Sequence, residues 1–350
     1  MHTYRSQSVR VAVTACRLSL LFSAAVIAFM PLMPSALAAY CAIAAYLAWP
    51  VLILCLAEAV ILRKKPFWCI AFLLAVVVSL TWVRHFLPFR QTARQAPEAI
   101  SLRLVSCNVD NFGLHYQDYD NLRHQAALIR SYRPDIICLQ ERPHTNVISF
   151  DSIRQAFSTY PYYCVNTRED EVLNLVVFSR YPLSSLTEYY FPGSYNKALA
   201  VSIAVGEDSL RLYNVHLQTT GVSTQAGSAH RRLAAMIRNE KARNLQSDQL
   251  LSVIARSRQP VIVTGDFNAS RTSRAYRRFA AVLSDCSQSS PGLHGTWQPL
   301  GPWLKIDHTL CSPQFHTHSY AVADNPWSDH RLQVVSLHLQ KTCKQPGHRK

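Results

Sequence analysis

The chain has 350 residues, of which 49% are apolar and 16% charged. A soluble domain carries about 25% charged residues, so the deficit excludes a disordered chain and points to a membrane part. The 36 Lys and Arg outnumber the 21 Asp and Glu, which leaves +15 and suits acidic partners such as nucleic acid, anionic lipid or phosphate esters. With 10 Gly, 18 Pro and 10 Cys, collagen-like, low-complexity and disulfide-scaffold classes are excluded.

Residues 18–33, 36–62 and 67–83 carry almost no charge. A membrane-spanning helix needs about 20 mostly apolar residues, so residues 1–83 are expected to form an anchor of about three transmembrane helices. Pro31 and Pro34 separate the first two runs, and Arg63, Lys64 and Lys65 separate the second from the third. A cleaved signal peptide ending near residues 35–39 is the rival reading. Apolar runs follow it at once, which weighs against it. Glu58 is read as a carboxylate near the helix end, close to Arg63. Arg5, Arg10 and Arg17, together with Arg63–Lys65, place the N-terminus and that loop in the cytoplasm. Three spans then put the rest of the chain on the non-cytoplasmic side of what is read as a bacterial inner membrane. Residues 84–99, broken by Pro88 and Pro97, read as a linker.

From residue 100 the pattern turns to short β runs. Residues 101–107 alternate as a strand. Residues 119–132 have helical spacing, ended by Arg133-Pro134. Strands are expected at 135–139, 172–178, 199–205 and 209–217, the last after a turn at Gly206-Glu207-Asp208. Residues 219–230 are rich in Gly, Ser and Thr and form either a loop beside a site or a plain linker. Residues 230–256 read as a helix carrying Arg231, Arg232, Arg238, Lys241, Arg243 and Arg256. Such a face is usually solvated, and contact with phosphate or an anionic surface is the alternative. Strands follow at 259–264, 305–311 and 332–339. Many strands with few helices predict an α+β core of two sheets over residues 100–342, followed by a basic tail at 343–350.

Polar residues recur at the strand ends: Asn108, Gln140-Glu141, Asn214 and His216, Asp266 and Asn268 within Gly265–Asn268, Asp307, and Ser328-Asp329-His330. Loops held by strand ends converge on one cleft. Carboxylates and amides without cysteine suit a hard ion, Mg²⁺ or Mn²⁺. His308 beside Asp307 faces the other side of its strand. Arg180 is read as either a phosphate contact or a surface arginine, and Asn196-Lys197 as either a substrate contact or a hairpin turn. Cys107, Cys138 and Cys311 lie in apolar strands and read as buried small residues. Cys164, Cys286 and Cys343 are candidates for pairing.

The order of these motifs resembles the endonuclease/exonuclease/phosphatase (DNase I-like) family over about residues 102–339, in a membrane-anchored bacterial type. The resemblance implies a four-layer α/β/β/α sandwich preceded by the transmembrane helices. It implies Glu141, Asn108 and Asp329 as metal residues. His330, Asp307, Asp266, His216 and Asn268 would be catalytic, and Asn214 and Asn268 substrate-binding. Asp266 would orient or deprotonate the attacking water, with His330 a base or a cation fixed by Asp307. The function so implied is a membrane-anchored, Mg²⁺-dependent phosphodiesterase or endonuclease, acting on a phosphate-bearing substrate beside a lipid bilayer. A sphingomyelinase-like lipid head-group phosphodiesterase and an inositol-phosphate phosphatase are the enzymatic alternatives. A non-catalytic membrane scaffold is the alternative of another class.

Overall fold

A computed structural model describes residues 99–116, 120–168, 173–221 and 229–340, all within the unit Pro88–Lys350. The three apolar runs, most of the linker and the basic tail lie outside the described residues. Among the described residues no helix is long and apolar enough to cross a membrane.

Twelve strands form two six-stranded sheets. The first has the order β11-β12-β1-β2-β4-β3: Phe315–Ala323, Leu332–Gln340, Ala99–Asn108, Ile136–Arg142, Asn174–Ser179 and Tyr162–Val165. The second has the order β5-β6-β7-β8-β10-β9: Leu183–Tyr190, Lys197–Val205, Asp208–His216, Val261–Asp266, Asp307–Cys311 and Ser284–Asp285. Each sheet is mixed, because β1 runs parallel to β2 and β7 parallel to β8 among otherwise antiparallel pairs.

Successive strand residues point to opposite faces, which is why the central strands are apolar throughout. Leu102 and Leu104 of β1, Ile136 and Cys138 of β2, and Leu175 and Val177 of β4 meet Leu199, Val201, Leu210, Leu212 and Ile262 between the sheets. The alternate residues of the first sheet, including Val105, Ile137 and Phe178, pack under α1 (Asn121–Ser131) and α2 (Phe150–Ala156) through Ala126, Ile129 and Ile153. Those of the second, including Val215 and Val263, pack under α3 (Ala229–Ile254) and α4 (Arg274–Ala280) through Leu250, Ile254 and Phe279. The result is the expected α+β sandwich of two sheets between helices.

The sequence reading placed the central strands within a few residues. It did not find β3, β5, β9, β11, α2 or α4. Most of these are short, and β3 and β11 are edge strands, where one or both faces meet solvent and alternation is weak. Cys164 and Cys286 are free thiols, and the Cys286 Sγ lies 3.7 Å from that of Cys311. Cys286 therefore neighbours Cys311, one of the residues read as merely buried, rather than Cys164. Cys343 lies outside the described residues.

One amide ties the sheets together. The Asn214 Nδ2 donates to the Leu139 and Val176 carbonyls at 3.0 and 3.1 Å, and its Oδ1 accepts from Gln140 Nε2 at 2.7 Å. The residue is fully buried, so Asn214 is corrected from a substrate-binding residue to an inter-sheet clamp. Asn214→Ala strands those buried partners, and an orphaned buried group costs about 1–3 kcal/mol. Urea unfolding of the variant is expected to show a loss of at least that size.

Candidate active site

The inward-facing rows do not stay apolar to the strand ends. On β1 the row runs Leu102, Leu104, Ser106, Asn108; on β2, Ile136, Cys138, Gln140; on β7, Leu210, Leu212, Asn214, His216; on β8, Ile262, Thr264, Asp266. On β10, read backwards, it runs Cys311, Thr309, Asp307. Parallel pairing aligns the C-terminal ends of β7 and β8, placing His216 opposite Asp266, while antiparallel β10 brings Asp307 to the other side of Asp266. The layer before the ends is neutral and self-bonded, as in the 2.7 Å contact between the Thr264 and Thr309 hydroxyls.

Local backbone distortions aim the remaining groups. Pairing of β2 with β4 slips between Leu139 and Arg142, so Gln140 and Glu141 lie in a bulge. Glu141 has φ 54° and Asn268 has φ 49°, a left-handed conformation that non-glycine residues rarely adopt. Gly265, at φ 136°, runs so close to β7 that a Cβ would sit 2.1 Å from the Val215 carbonyl oxygen. Only glycine fits before Asp266.

Asn108 Nδ2 donates to Glu141 Oε1 at 2.9 Å and to Asp266 Oδ2 at 3.1 Å. His216 Nε2 lies 3.5 Å from Glu141 and 3.6 Å from Asp266, and its buried Nδ1 has no partner. His330 Nδ1 is 2.8 Å from Asp307 Oδ2, and its Nε2 is 3.7 Å from Asp266 Oδ2. Thr296 Oγ1 accepts the Ile306 and Asp307 amides at 3.1 and 3.0 Å, which fixes the Asp307 backbone.

These contacts set the charges. Burial pushes the Glu141 carboxyl up to about 7, against the Asn108 bond. Burial raises Asp266 as well, and Asp307 adds to it. Burial pushes His216 down to about 4, so that ring is neutral at pH 7. Burial also disfavours the His330 cation, but Asp307 and Asp266 outweigh it and hold its pKa well above the ordinary value. The two imidazoles therefore sit in opposite protonation states.

The donor set fits a hard divalent ion. Glu141, Asp266 and His216 offer ligand atoms within 4.8 Å of one another, as do Asp266, Asp307 and His330. Crowded carboxylates with one cationic imidazole call for a further positive charge. Glu141, with Asn108 beside it, is the carboxylate placed to hold one, next to Asp266. Asp329 stands at the exposed rim of this set, where its free oxygen can complete an ion's shell or meet its waters. Its side chain is 43% exposed, its Oδ2 accepts from Trp297 Nε1 at 3.3 Å, and its Oδ1 stands 3.8 Å from His330 Nε2.

Asn268 caps the Asp266 carboxylate with its backbone N–H at 2.7 Å, and its Nδ2 donates to Leu217 O at 3.1 Å. Asn196 Nδ2 donates to the same carbonyl at 3.0 Å, so Asn196 fastens a turn. Lys197 pairs across the strands with His216, is buried, and donates to Leu173 O at 2.9 Å. Arg180 is half exposed and 3.9 Å from Asp135, a surface ion pair. His308 turns away from the site, with Nε2 on Ala269 O at 2.8 Å.

Three supports escaped the sequence reading. Trp297 bridges to His330 in a short antiparallel contact. Arg243 and Gln246 of α3 grip Gln218, two residues past His216, at 2.8 Å each. Arg243 is buried against Glu240 at 2.9 Å, which corrects its reading as part of a solvated or phosphate-facing surface. The spacing of Met236, Glu240, Arg243, Ser247 and Leu250 on one helical face was the available signal.

A profile of the Endonuclease/Exonuclease/phosphatase family matches residues 105–330. The chain belongs to this family. Nocturnin of Xenopus laevis is 26% identical over 188 residues, which is 49% of this chain and 47% of that protein, so the chain spans about half the length of this curated relative. A solved family structure from Bacteroides vulgatus has 20% identity and a TM-score of 0.55, covering 69% of this chain and 100% of the other. The human Nocturnin catalytic domain, solved with a bound sulfate anion, has 19% identity and a TM-score of 0.51, covering 71% and 100%. At these identities the solved structures share the fold. Members of the endonuclease/exonuclease/phosphatase family are divalent-metal-dependent hydrolases of phosphodiester bonds.

Asp307→Asn removes the anion that favours the His330 imidazolium. By NMR titration the His330 pKa is expected to fall to the ordinary value near 6.5 or below it.

Proposed function

We propose that the protein is a membrane-anchored, Mg²⁺-dependent phosphodiesterase that cleaves nucleic acid on the non-cytoplasmic side of a bacterial inner membrane. The observation that carries the chemistry is the meeting of Glu141, Asp266, His216 and the Asp307–His330 pair at the ends of both sheets. A bound Mg²⁺ supplies charge neutralisation at the phosphate and the leaving oxygen. Asp266, held by Asn108 and the Asn268 amide, orients and deprotonates the attacking water. His330, kept cationic by Asp307, faces the charge that builds on the phosphoryl oxygens. Neutral His216 offers a hydrogen bond without adding charge. Asn268 holds the Asp266 loop and borders the phosphate.

The substrate class rests on a second observation. A cavity of about 320 Å³ opens beside the His216 strand, lined by Arg168, Tyr190, Phe191, Ser194, Tyr195 and Lys197. Tyr195 is 73% exposed. The Arg168 guanidinium over the Tyr190 ring, with exposed Tyr195 beside it, suits a phosphate next to a stacked base. An inositol head group would leave the aromatic faces unused, whereas a choline ammonium would also stack on them, which makes sphingomyelin the rival substrate to test. The anchor is supported by the three uncharged runs within residues 1–83 and by the basic residues around them.

Purified full-length protein is expected to hydrolyse single-stranded nucleic acid with Mg²⁺, to lose activity with chelator, and to regain it on Mg²⁺ addition. Glu141→Gln is expected to lower the rate by roughly 100-fold or more. Tyr195→Ala and Arg168→Ala should raise KM for the nucleic acid while leaving a small phosphodiester unaffected. Hydrolysis of sphingomyelin or inositol phosphates in preference to nucleic acid would overturn the substrate assignment.

The orientation has its own test. A reporter active only outside the cytoplasm, fused after Lys350, should be active. Activity of a cytoplasm-only reporter at that position would reverse the topology.

A further inference from the structure

Away from the catalytic end, three histidines gather on the first sheet. β11 is its edge strand and pairs with β12, so His316 stands opposite His338. The pairing shifts between Thr317 and Ser319, which leaves His318 as the extra residue of a bulge. Leu337 and Leu339, on either side of His338, face the interlayer core, as does Phe315 before His316. Alternation therefore turns His316 and His338 to the outer face. The His318 ring stacks on that of His338 with centroids 5.1 Å apart and planes 21° apart, and the His316 ring lies 6.4 Å from His338. His318 is exposed and the other two are half-buried. The Nε2 of His316 is buried and has no hydrogen-bond partner.

We infer that His316, His318 and His338 form a binding site for a divalent transition-metal ion, with Zn²⁺ the best match. Two histidines two positions apart on one strand, with a third on its antiparallel neighbour, place three imidazoles over one patch of sheet. Imidazole is the preferred ligand of borderline ions, and three of them leave one position of a tetrahedral Zn²⁺ for water. With metal–nitrogen bonds of about 2.0–2.1 Å, two imidazole centroids on such an ion stand roughly 5 Å apart. The His318–His338 separation of 5.1 Å matches that, while the 6.4 Å between His316 and His338 is longer, so His316 must swing inward to join an ion. Closing on an ion requires the stacked His318 ring and the His316 ring to turn about their side-chain bonds, and leaves the strands in place. Burial and the two neighbouring imidazoles lower the His338 pKa, so its lone pair is available near neutral pH.

The site is separate from the catalytic centre in place and in chemistry. Ser101 of β1 pairs with His338, and Asn108 ends the same strand, roughly 23 Å away along it. The trio contains no carboxylate, so Mg²⁺, which prefers oxygen, competes weakly there. An ion would pin the edge strand β11 to β12, whose last residues pair with the start of β1. The inference does not depend on the proposed activity.

The test uses the full chain in detergent with excess Mg²⁺, titrated with Zn²⁺ against a chromophoric chelator. A Glu141→Gln background suppresses binding at the catalytic centre. One Zn²⁺ per chain is expected, with an X-ray absorption spectrum showing about three imidazole ligands. His318→Gln changes an exposed bulge residue and should fold normally. It is expected to weaken Zn²⁺ binding by at least the roughly 100-fold that outer-shell changes alone can cost, and to abolish the rise in Tm that Zn²⁺ produces. His316→Gln should do the same. Absence of Zn²⁺ binding, unchanged affinity in both variants, or a spectrum dominated by oxygen ligands would overturn the inference.

Discussion

Leu210, Leu212, Asn214 and His216 share one face of β7, and equivalent rows on β1, β2, β8 and β10 point into the same interlayer space. Within it, side chains pass from apolar through neutral polar to charged over about six residues, or roughly 20 Å of strand. A slip of one residue in any of these strands would send its catalytic group to a helix-covered face and an apolar residue into the site. Register is therefore the constraint on which the chemistry depends. The Asn214 clamp defends it by bonding the backbones of β2 and β4 from the opposite sheet.

The same arrangement explains how the site holds so many ionisable groups. Asp266 is the hub: Asn108, the Asn268 amide, His216 and His330 all face its carboxylate. A buried carboxylate is costly unless it is bonded or paired. Here it is both, and the two histidines divide the work. Asp307 commits His330 to the cationic form, whereas at His216 burial outweighs the pull of Asp266 and keeps the ring neutral. Two rings with opposed charge states let one group stabilise anionic phosphate while the other adds no repulsion to a bound cation.

The residues most legible in sequence were those whose spacing is fixed by a strand end. The runs before Gln140 and Gly265 are short but apolar because both faces are buried, so the polar residues that follow, Gln140-Glu141 and Asp266, stand out. Asp307 and His330 stand where strands begin, and their pairing was implied by the resemblance to the family rather than by an apolar run. What was not legible depends on contacts distant in sequence. Asn214 lies in a motif beside His216, yet only the position of the other sheet shows that its amide is spent on Leu139 and Val176. Asp329 adjoins His330, yet only the bridge from Trp297 shows that an indole holds one of its oxygens. Arg243 is the exception, because its helical frame with Met236, Ser247 and Leu250 was a local signal that it faces inward.

A second buried charge cluster bears on why Asp307 stays in place. Asp285 accepts from Tyr276 Oη at 2.6 Å and from the Ser287 N–H at 2.9 Å, and lies 3.8 Å from Lys305 Nζ and 3.4 Å from Arg271 Nε. Burial alone would raise the Asp285 carboxyl, but Lys305, Arg271 and His308 hold it well below the usual range. Burial pushes Lys305 down to about 8. Replacing such pairs with apolar groups is often neutral for stability, whereas removing one partner is costly. Stability is thus a poor reason for the cluster, and its placement suggests a better one. Lys305 is two residues before Asp307, and Arg271 is three after Asn268. His308 ties the Ala269 carbonyl to the strand that carries Asp307. Together with the backbone bond from Phe267 N–H to Ile306 O, the cluster fixes the spacing between these two loops, so the catalytic groups meet without having to hold the loops together themselves.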